Sequence, residues 1–466
     1  MDHNTPHIQP ASTQLRIPHR LVGTLSRVHH RLIGTPARVP HSSRSHRDEW
    51  DIRAKHEPLS FPRRKYLLAL TILIAATLPA KAQWDIQDSR TTASLRGIHN
   101  VGGGVAWASG TEGTVLRTED GGYLWQGCAT PPGAEKLDFR GIQAFDENTA
   151  IVMSSGKGDL SRLYKTTDGC RTWKLVFINP DKEGFWDALQ IVPSGFGLNG
   201  VLVGDPVNGI IPIFLTTDKG ETWRQWNHHD PGSKGACKEN PVKAQRDEGL
   251  FAASNQSLLF EASIYPTFLF VTGGKSGSRL ISSDYSDWDF SFCKTSFHTD
   301  SIPFTSKQES SGAFAMATSK WAGGSWLPEK IIVVGGDYKK PDAPSETFLI
   351  LPRNSRFPLP GLSTQSWLQR PIRSTTPPHG YRSAVAFDPT TKTWITVGPN
   401  GTDISRDDGR NWSPLKPTAA EPQDADKNWN ALSLPFVVGP KGRIGKLRDN
   451  AIATAASSKE EKDKKD

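Results

Sequence analysis

Short strand-like runs and polar turns alternate along most of this chain. A unit opens with a polar residue and a strand, and a second strand leads into a glycine-rich turn. A third strand follows and ends in another turn. The openings are Arg96-Gly-Ile, Arg140-Gly-Ile, Trp186-Asp187-Ala-Leu, Glu248-Gly-Leu, Ser311-Gly-Ala, Arg382-Ser-Ala-Val and Asn430-Ala-Leu. The glycine-rich turns begin at Gly110, Gly156, Gly204, Gly273, Gly335, Gly398 and Gly439. The pattern predicts seven β units and no helical bundle.

Many units end in one signature, Ser/Thr-x-Asp-x-Gly-x-x-Trp. It appears at Thr118–Trp125, Thr216–Trp223 and Ser405–Trp412. A fourth copy, Thr166–Trp173, has Cys170 where the second glycine stands, and a degraded fifth runs from Ser282 to Trp288. Asp120, Asp168, Asp218 and Asp407 read as turn residues that accept backbone N–H bonds. The glycine takes a positive φ, and Trp125, Trp173, Trp223 and Trp412 begin the next strand and pack between sheets. The motif is therefore structural rather than catalytic.

The last unit stops one strand short, at Leu447, and a spare strand, Trp84-Asp-Ile-Gln, precedes the first unit. Termini that share one sheet close a ring and remove two open edges. The expected fold is all-β, a seven-bladed β-propeller over residues 83–449, with six blades as the alternative. A high glycine (42) and proline (34) content suits many short strands and tight turns.

The first 82 residues differ from the rest. Tyr66–Leu78 is the only long apolar run; Arg63-Arg64-Lys65 precedes it and Pro79-Ala80-Lys81-Ala82 follows. A basic patch, a short apolar run and a small-residue end are the parts of an export signal, read here as residues 59–82 with cleavage between Ala82 and Gln83. The alternative is an uncleaved anchor, so membrane contact is expected only through this segment. Either the general secretory or the twin-arginine route fits. Residues 1–58 carry eight of the 13 histidines and read as a disordered basic extension; histidine-rich tracts can bind metal, but these lie in an irregular basic region upstream of a signal, so no metal site is expected. Residues 450–466 read as a disordered charged tail. The expected location is periplasmic or extracellular.

Charge points away from nucleic acid. Residues 1–82 hold 13 Lys and Arg against 5 Asp and Glu, while the remaining 384 hold 43 of each. A neutral body has no general grip on polyphosphate. The four cysteines, Cys128, Cys170, Cys237 and Cys293, all lie in the exported part. Three pairings are possible; Cys128 with Cys170 and Cys237 with Cys293 are favoured because each pair falls in adjacent blades.

These repeats resemble BNR-repeat (Asp-box) propellers, and within them the photosystem II stability and assembly factor family with its exported bacterial relatives. The resemblance covers essentially all of 84–449. It implies a non-catalytic propeller that binds proteins as an assembly or stability scaffold. The turn motif is shared with sialidases and xyloglucanases, so the alternative is a carbohydrate-active enzyme. A sialidase needs an arginine triad, a tyrosine nucleophile and acidic partners. Arg140, Arg382, Tyr381 and Glu248 occur, but no spacing joins them. A glycosidase needs two carboxylates about 5–10 Å apart, for which Asp187, Asp205, Glu248 and Asp337 stand near blade openings. No dinucleotide fingerprint and no metal cluster is present, so no cofactor and no metal is expected.

Topology places the site. Strand openings and glycine-rich turns share one face, and the aspartate turns share the other. Arg96, Arg140, Asp187, Asp205, Glu248, Lys275, Asp337, Tyr338, Arg382 and Lys441 are therefore expected around one mouth of the channel. A mixed-charge ring of this kind suits a protein segment or a polar ligand.

Overall fold

The computed structural model describes residues 83–192, 197–226, 241–261, 267–284, 296–319, 329–352, 368–448 and 451–452. Their strands form seven antiparallel sheets. Each is a blade of strands a to d from the channel outward. Blade 1 is Leu95–Gly102, Val105–Gly110, Val115–Thr118 and Gln126–Gly127; blade 2 is Phe139–Ala144, Ala150–Ser154, Arg162–Thr166 and Lys174–Ile178. Blade 3 is Trp186–Ile191, Gly200–Gly204, Ile213–Thr216 and Arg224–Gln225; blade 4 is Leu258–Glu261, Thr267–Val271, Ser278–Asp284 and Ser296–Ile302. Blade 5 is Ser311–Thr318, Ile331–Asp337, Phe348–Ile350 and Ile372–Arg373; blade 6 is Ala384–Asp388, Thr393–Gly398, Gly401–Ser405 and Ser413–Pro414. Blade 7 takes Ala431–Ser433, Phe436–Val438 and Ile444–Leu447 from one end of the propeller and Trp84–Gln87 from the other.

That shared blade closes the ring. Trp84 pairs with Leu447 and Gln87 with Ile444, so the two ends of the propeller lock each other and the last three strands gain their fourth. Inner strands touch from blade to blade all the way round, blade 7 returning to blade 1. The propeller is thus seven-bladed, with the same closure that the spare first strand implied.

The aspartate turns explain much of the packing between blades. In each of four turns a Ser or Thr hydroxyl donates to the aspartate and accepts the N–H four residues on, as Thr216 does with Asp218 (2.8 Å) and Gly220 (2.9 Å). The aspartate then takes the N–H of the residue before the tryptophan, at 3.0 Å for Leu124, 3.0 Å for Thr172, 2.9 Å for Thr222 and 2.9 Å for Asn411. Trp125 and Trp412 wedge against the preceding blade, where their indole N–H groups meet Gln87 at 2.9 Å and Thr347 at 2.8 Å. Trp173 does the same through the Ala129 carbonyl at 2.8 Å, and Trp223 packs with Ile151 and Met153 of blade 2. All four rings are buried.

Cys170 keeps the backbone of the glycine it replaces. Its φ is +63°, beside +93°, +81° and +75° at Gly122, Gly220 and Gly409. It is disulfide-bonded to Cys128 with a Cα separation of 5.3 Å, tying blade 2 to the end of blade 1. Cys237 and Cys293 lie outside the described residues, as do the extension 1–58 and the signal 59–82. Two expectations need correction. Blade 4 opens at Leu258, not at Glu248. Ala451 and Ile452, assigned to the charged tail, are buried in the cluster between blades 6 and 7, where Arg406 donates to the Ile452 carbonyl at 2.6 Å.

Candidate functional site

Blade 4 opens late because the segment before it, residues 250–257, goes through the centre of the ring. Asn255 binds the inner strand of blade 3 with both ends of its amide, accepting from Leu189 N–H at 2.7 Å and donating to Leu189 C=O at 2.8 Å. Gln256 accepts from Val385 N–H of blade 6 and donates to Leu432 C=O of blade 7, each at 2.9 Å. Its own carbonyl takes the Met316 N–H of blade 5 at 2.9 Å. Ser254 donates to Ser383 C=O of blade 6 at 2.6 Å. A segment bonded to inner strands on opposite sides of a ring must cross its axis. It acts as a strap that replaces water on backbone groups facing the channel. Nothing in the repeat pattern announces this; Asn255 at φ +63° is the one local irregularity.

The strap is anchored at its start by a buried ion pair. Arg279 meets Glu248 through Nε at 2.7 Å, and Thr272 donates to the same carboxylate at 2.6 Å. Two short strands add to the anchor, since Glu248 pairs with Gly274 and Gly249 with Gly273.

Above the strap lies a cavity of about 450 Å³, lined by Arg96, Arg140, Phe185, Asp187, Asp205, Leu250–Ala253, Phe314, Tyr338 and Tyr381, among others. Four of these side chains have one origin. In blades 1, 2, 3 and 5 the inner pairing skips one residue: Arg96, Arg140, Asp187 and Phe314 are the residues passed over. A bulge leaves its extra residue unpaired and re-aims it. Here it aims all four into one mouth.

The cavity has two unlike walls. Arg96 and Arg140 share Asp138, at 3.5 Å and 2.8 Å, and their side chains remain 32% and 28% exposed. Two cations on one anion leave a net positive wall; burial lowers the Arg96 pKa, but a guanidinium keeps its charge. Opposite, Phe251 of the strap stacks on Phe314 with centroids 3.8 Å apart. Tyr338 stands edge-on to both and is half exposed. Beneath, Asp187 is 1% exposed, and burial pushes its carboxyl well above the usual range, with the neighbouring Asp205 charge adding to the rise. Its Oδ2 has no hydrogen-bond partner. Burial raises Asp205 as well, although it accepts the Leu250 N–H at 2.8 Å.

Five expected mouth residues are elsewhere or otherwise engaged. Arg382 is fully buried and grips Asp403 and Asn400, the latter at 2.6 Å, because it stands one residue ahead of the mouth position: its N–H bonds the Gly335 carbonyl of blade 5 as Leu95 N–H bonds the Gly439 carbonyl of blade 7, and Ser383 lines the cavity instead. Glu248 is consumed by Arg279. Lys275 pairs with Glu309 on the surface. Asp337 is buried and caps its own turn, accepting Lys339 N–H at 3.0 Å. Lys441 occupies a positive-φ turn position and does not line the cavity. Phe251, Phe314 and Phe185 were not anticipated: apolar residues in apolar runs carry no signal until the bulge and the strap are known. No cluster of three metal-ligating side chains occurs among the described residues.

No protein-family model and no curated protein matches the chain. Solved structures do. "YCF48 bound to D1 peptide" aligns with 14% identity over 79% of this chain and 98% of that one, at a TM-score of 0.48. YCF48 from Cyanidioschyzon merolae aligns with 16% identity over 79% and 99%, TM-score 0.48. The GH74 xyloglucanase from Xanthomonas campestris aligns with 16% identity over 79% of this chain and 54% of its own length, TM-score 0.48. The chain is similar to these proteins in its propeller architecture.

Proposed function

We propose that the chain is an exported, non-catalytic propeller that binds a segment of another protein at its mouth, a scaffold of the kind its assembly-factor resemblance implies. The observation that carries this is the pair Arg96 and Arg140, two half-buried guanidiniums sharing one carboxylate above an aromatic cavity. Such a wall recognises carboxylates with charge and geometry together. Hydrolysis is the weaker reading. A glycosidase keeps two carboxylates open to the sugar. Here Asp187 is buried at 1% exposure, Asp205 holds the strap's backbone, and Glu248 and Asp337 are occupied. The Cys128–Cys170 disulfide supports an oxidising compartment and hence export.

The test is capture from an envelope fraction with the wild-type chain and with Arg140→Ala, followed by titration of the captured partner. Arg140→Ala should weaken binding by about 1–3 kcal/mol with the fold intact. Equal capture by both proteins removes the mouth as the binding site. Turnover of a chromogenic glycoside that Asp187→Asn abolishes would make the protein an enzyme.

A further inference from the structure

The strap changes what the mouth can accept. In an open ring a peptide can thread along the axis. In this ring the axis is blocked by a segment bonded to blades 3, 5, 6 and 7. A ligand entering past Arg96 and Arg140 meets the backbone of Leu250–Ala253, which lines the cavity as its floor. That floor is fixed from three sides. Asp205 takes the Leu250 N–H at 2.8 Å, Arg140 reaches the Ala252 carbonyl at 3.4 Å, and Ser254 is tied to blade 6.

The floor also brings the one mouth element that the repeats do not encode. Phe251 lies flat on Phe314, and Tyr338 stands beside them with half its surface free. An incoming ring can extend this group edge-to-face or offset, the geometries aromatic pairs favour. The guanidiniums lie in the same 450 Å³ space, a volume that admits a few side chains and no folded module.

Resting on the protein-binding reading above, we infer that the mouth is a blind socket for the free end of a polypeptide that carries an aromatic side chain next to a carboxylate. Phe251 and Tyr338 select the ring, Arg96 and Arg140 hold the carboxylate, and the strap excludes threaded chains.

Fluorescence anisotropy with the full chain and labelled Gly/Ser peptides tests this. One probe carries Phe-Glu at its end, a second the same pair between two long proline-rich flanks, and a third Leu-Glu at its end. The end-placed Phe-Glu probe should bind about five- to tenfold tighter than either of the others. Tyr338→Ala, at an exposed position, and Phe251→Leu, which keeps an apolar floor, should each reduce the Phe-Glu affinity toward that of Leu-Glu. Arg140→Ala should weaken both end-placed probes. Equal binding of the flanked and end-placed pairs overturns the blind socket and leaves the protein-binding mouth standing. Equal binding of Phe-Glu and Leu-Glu overturns the aromatic selection. If no probe binds and the captured partner also ignores Arg140→Ala, both readings fall.

Discussion

Replacing Gln256 by alanine removes a clamp from the centre of the ring. The amide joins Val385 of blade 6 to Leu432 of blade 7, each bond at 2.9 Å; the backbone bond from Met316 survives the change. One inner-strand donor and one acceptor then lose their partner where the strap leaves little room for water. An unmade buried bond costs about 1–3 kcal/mol, so the pair costs about 2–6 kcal/mol, and water reaching one of them brings this to about 2–4 kcal/mol. At about 2.1 cal/mol/K per residue, the propeller from Trp84 to Leu447 melts with an entropy on the order of 0.8 kcal/mol/K. The expected fall in melting temperature is therefore about 3–5 °C by calorimetry. Gln256→Glu is the sharper variant. It keeps the acceptor for Val385 but turns a negative oxygen on the Leu432 carbonyl, so its folded-state pKa is raised. The folded state then binds more protons than the unfolded one. The variant's deficit should be full at neutral pH and shrink as acid protonates the carboxyl into a donor. A Gln256→Ala melt within about 1 °C of wild type, or a Gln256→Glu deficit that ignores pH, would refute the strap as a stabilising hub.

Arg382→Ala should cost about 3–5 kcal/mol because it strands a buried Asp403, whereas Arg140→Ala, which gives up a part-exposed ion pair and a long bond to the strap, should cost at most about 1 kcal/mol; equal melts for the two would contradict the placement of these arginines. Reducing the Cys128–Cys170 disulfide, whose partners lie 42 residues apart, should cost about 4 kcal/mol by chain entropy. Cys170→Gly combined with Cys128→Ala should recover part of that loss, since glycine takes the +63° backbone without strain; a double variant that melts below the reduced wild type would argue against it. His99 accepts the Ala144 N–H on Nδ1 at 3.4 Å, and burial lowers its pKa to about 4. Its depressed folded pKa means that the unfolded chain takes up a proton first. Stability should therefore decline as pH falls from about 6.5 toward 4, and His99→Gln should flatten that part of a melting-temperature profile.

The ring was legible in the sequence because its signals are local and repeated. A Thr or Ser, an Asp, a Gly and a Trp at fixed offsets report one turn, and each turn uses only residues within it and one neighbouring blade. The spare strand at Trp84 was legible for the same reason, since closure needs only a count. The strap was not. Its residues bond to blades 3, 5, 6 and 7, which lie about 65 positions before it in the case of Leu189 and about 175 after it in the case of Leu432. A unit count makes Glu248 look like one more opening; its Arg279 partner on blade 4 decides otherwise.

The same distinction explains the mouth. Arg96, Arg140 and Arg382 hold matching positions ahead of a strand, and the sequence alone treats them alike. Register separates them. At Arg96 and Arg140 the inner strand carries one residue more than its neighbour, and the following Gly97 and Gly141 sit where a Cβ would come within 2.6 Å and 3.0 Å of other atoms. Glycine there lets the strand press against its neighbour while the arginine turns into the channel. Arg382 instead holds the place of Leu95, one residue ahead of the mouth position, its N–H on the preceding blade's Gly335 carbonyl as Leu95's is on Gly439, so its guanidinium turns inward and finds Asp403. Asp187 and Phe314 share the bulge without sharing the chemistry. One backbone device, repeated in four blades, thus sets four side chains at one level of the channel, and the residue on each bulge can change without disturbing the ladder beneath it. The chemistry of the mouth is consequently separable from the stability of the ring, which is why an arginine on a bulge can be removed for its function and an arginine beside it cannot.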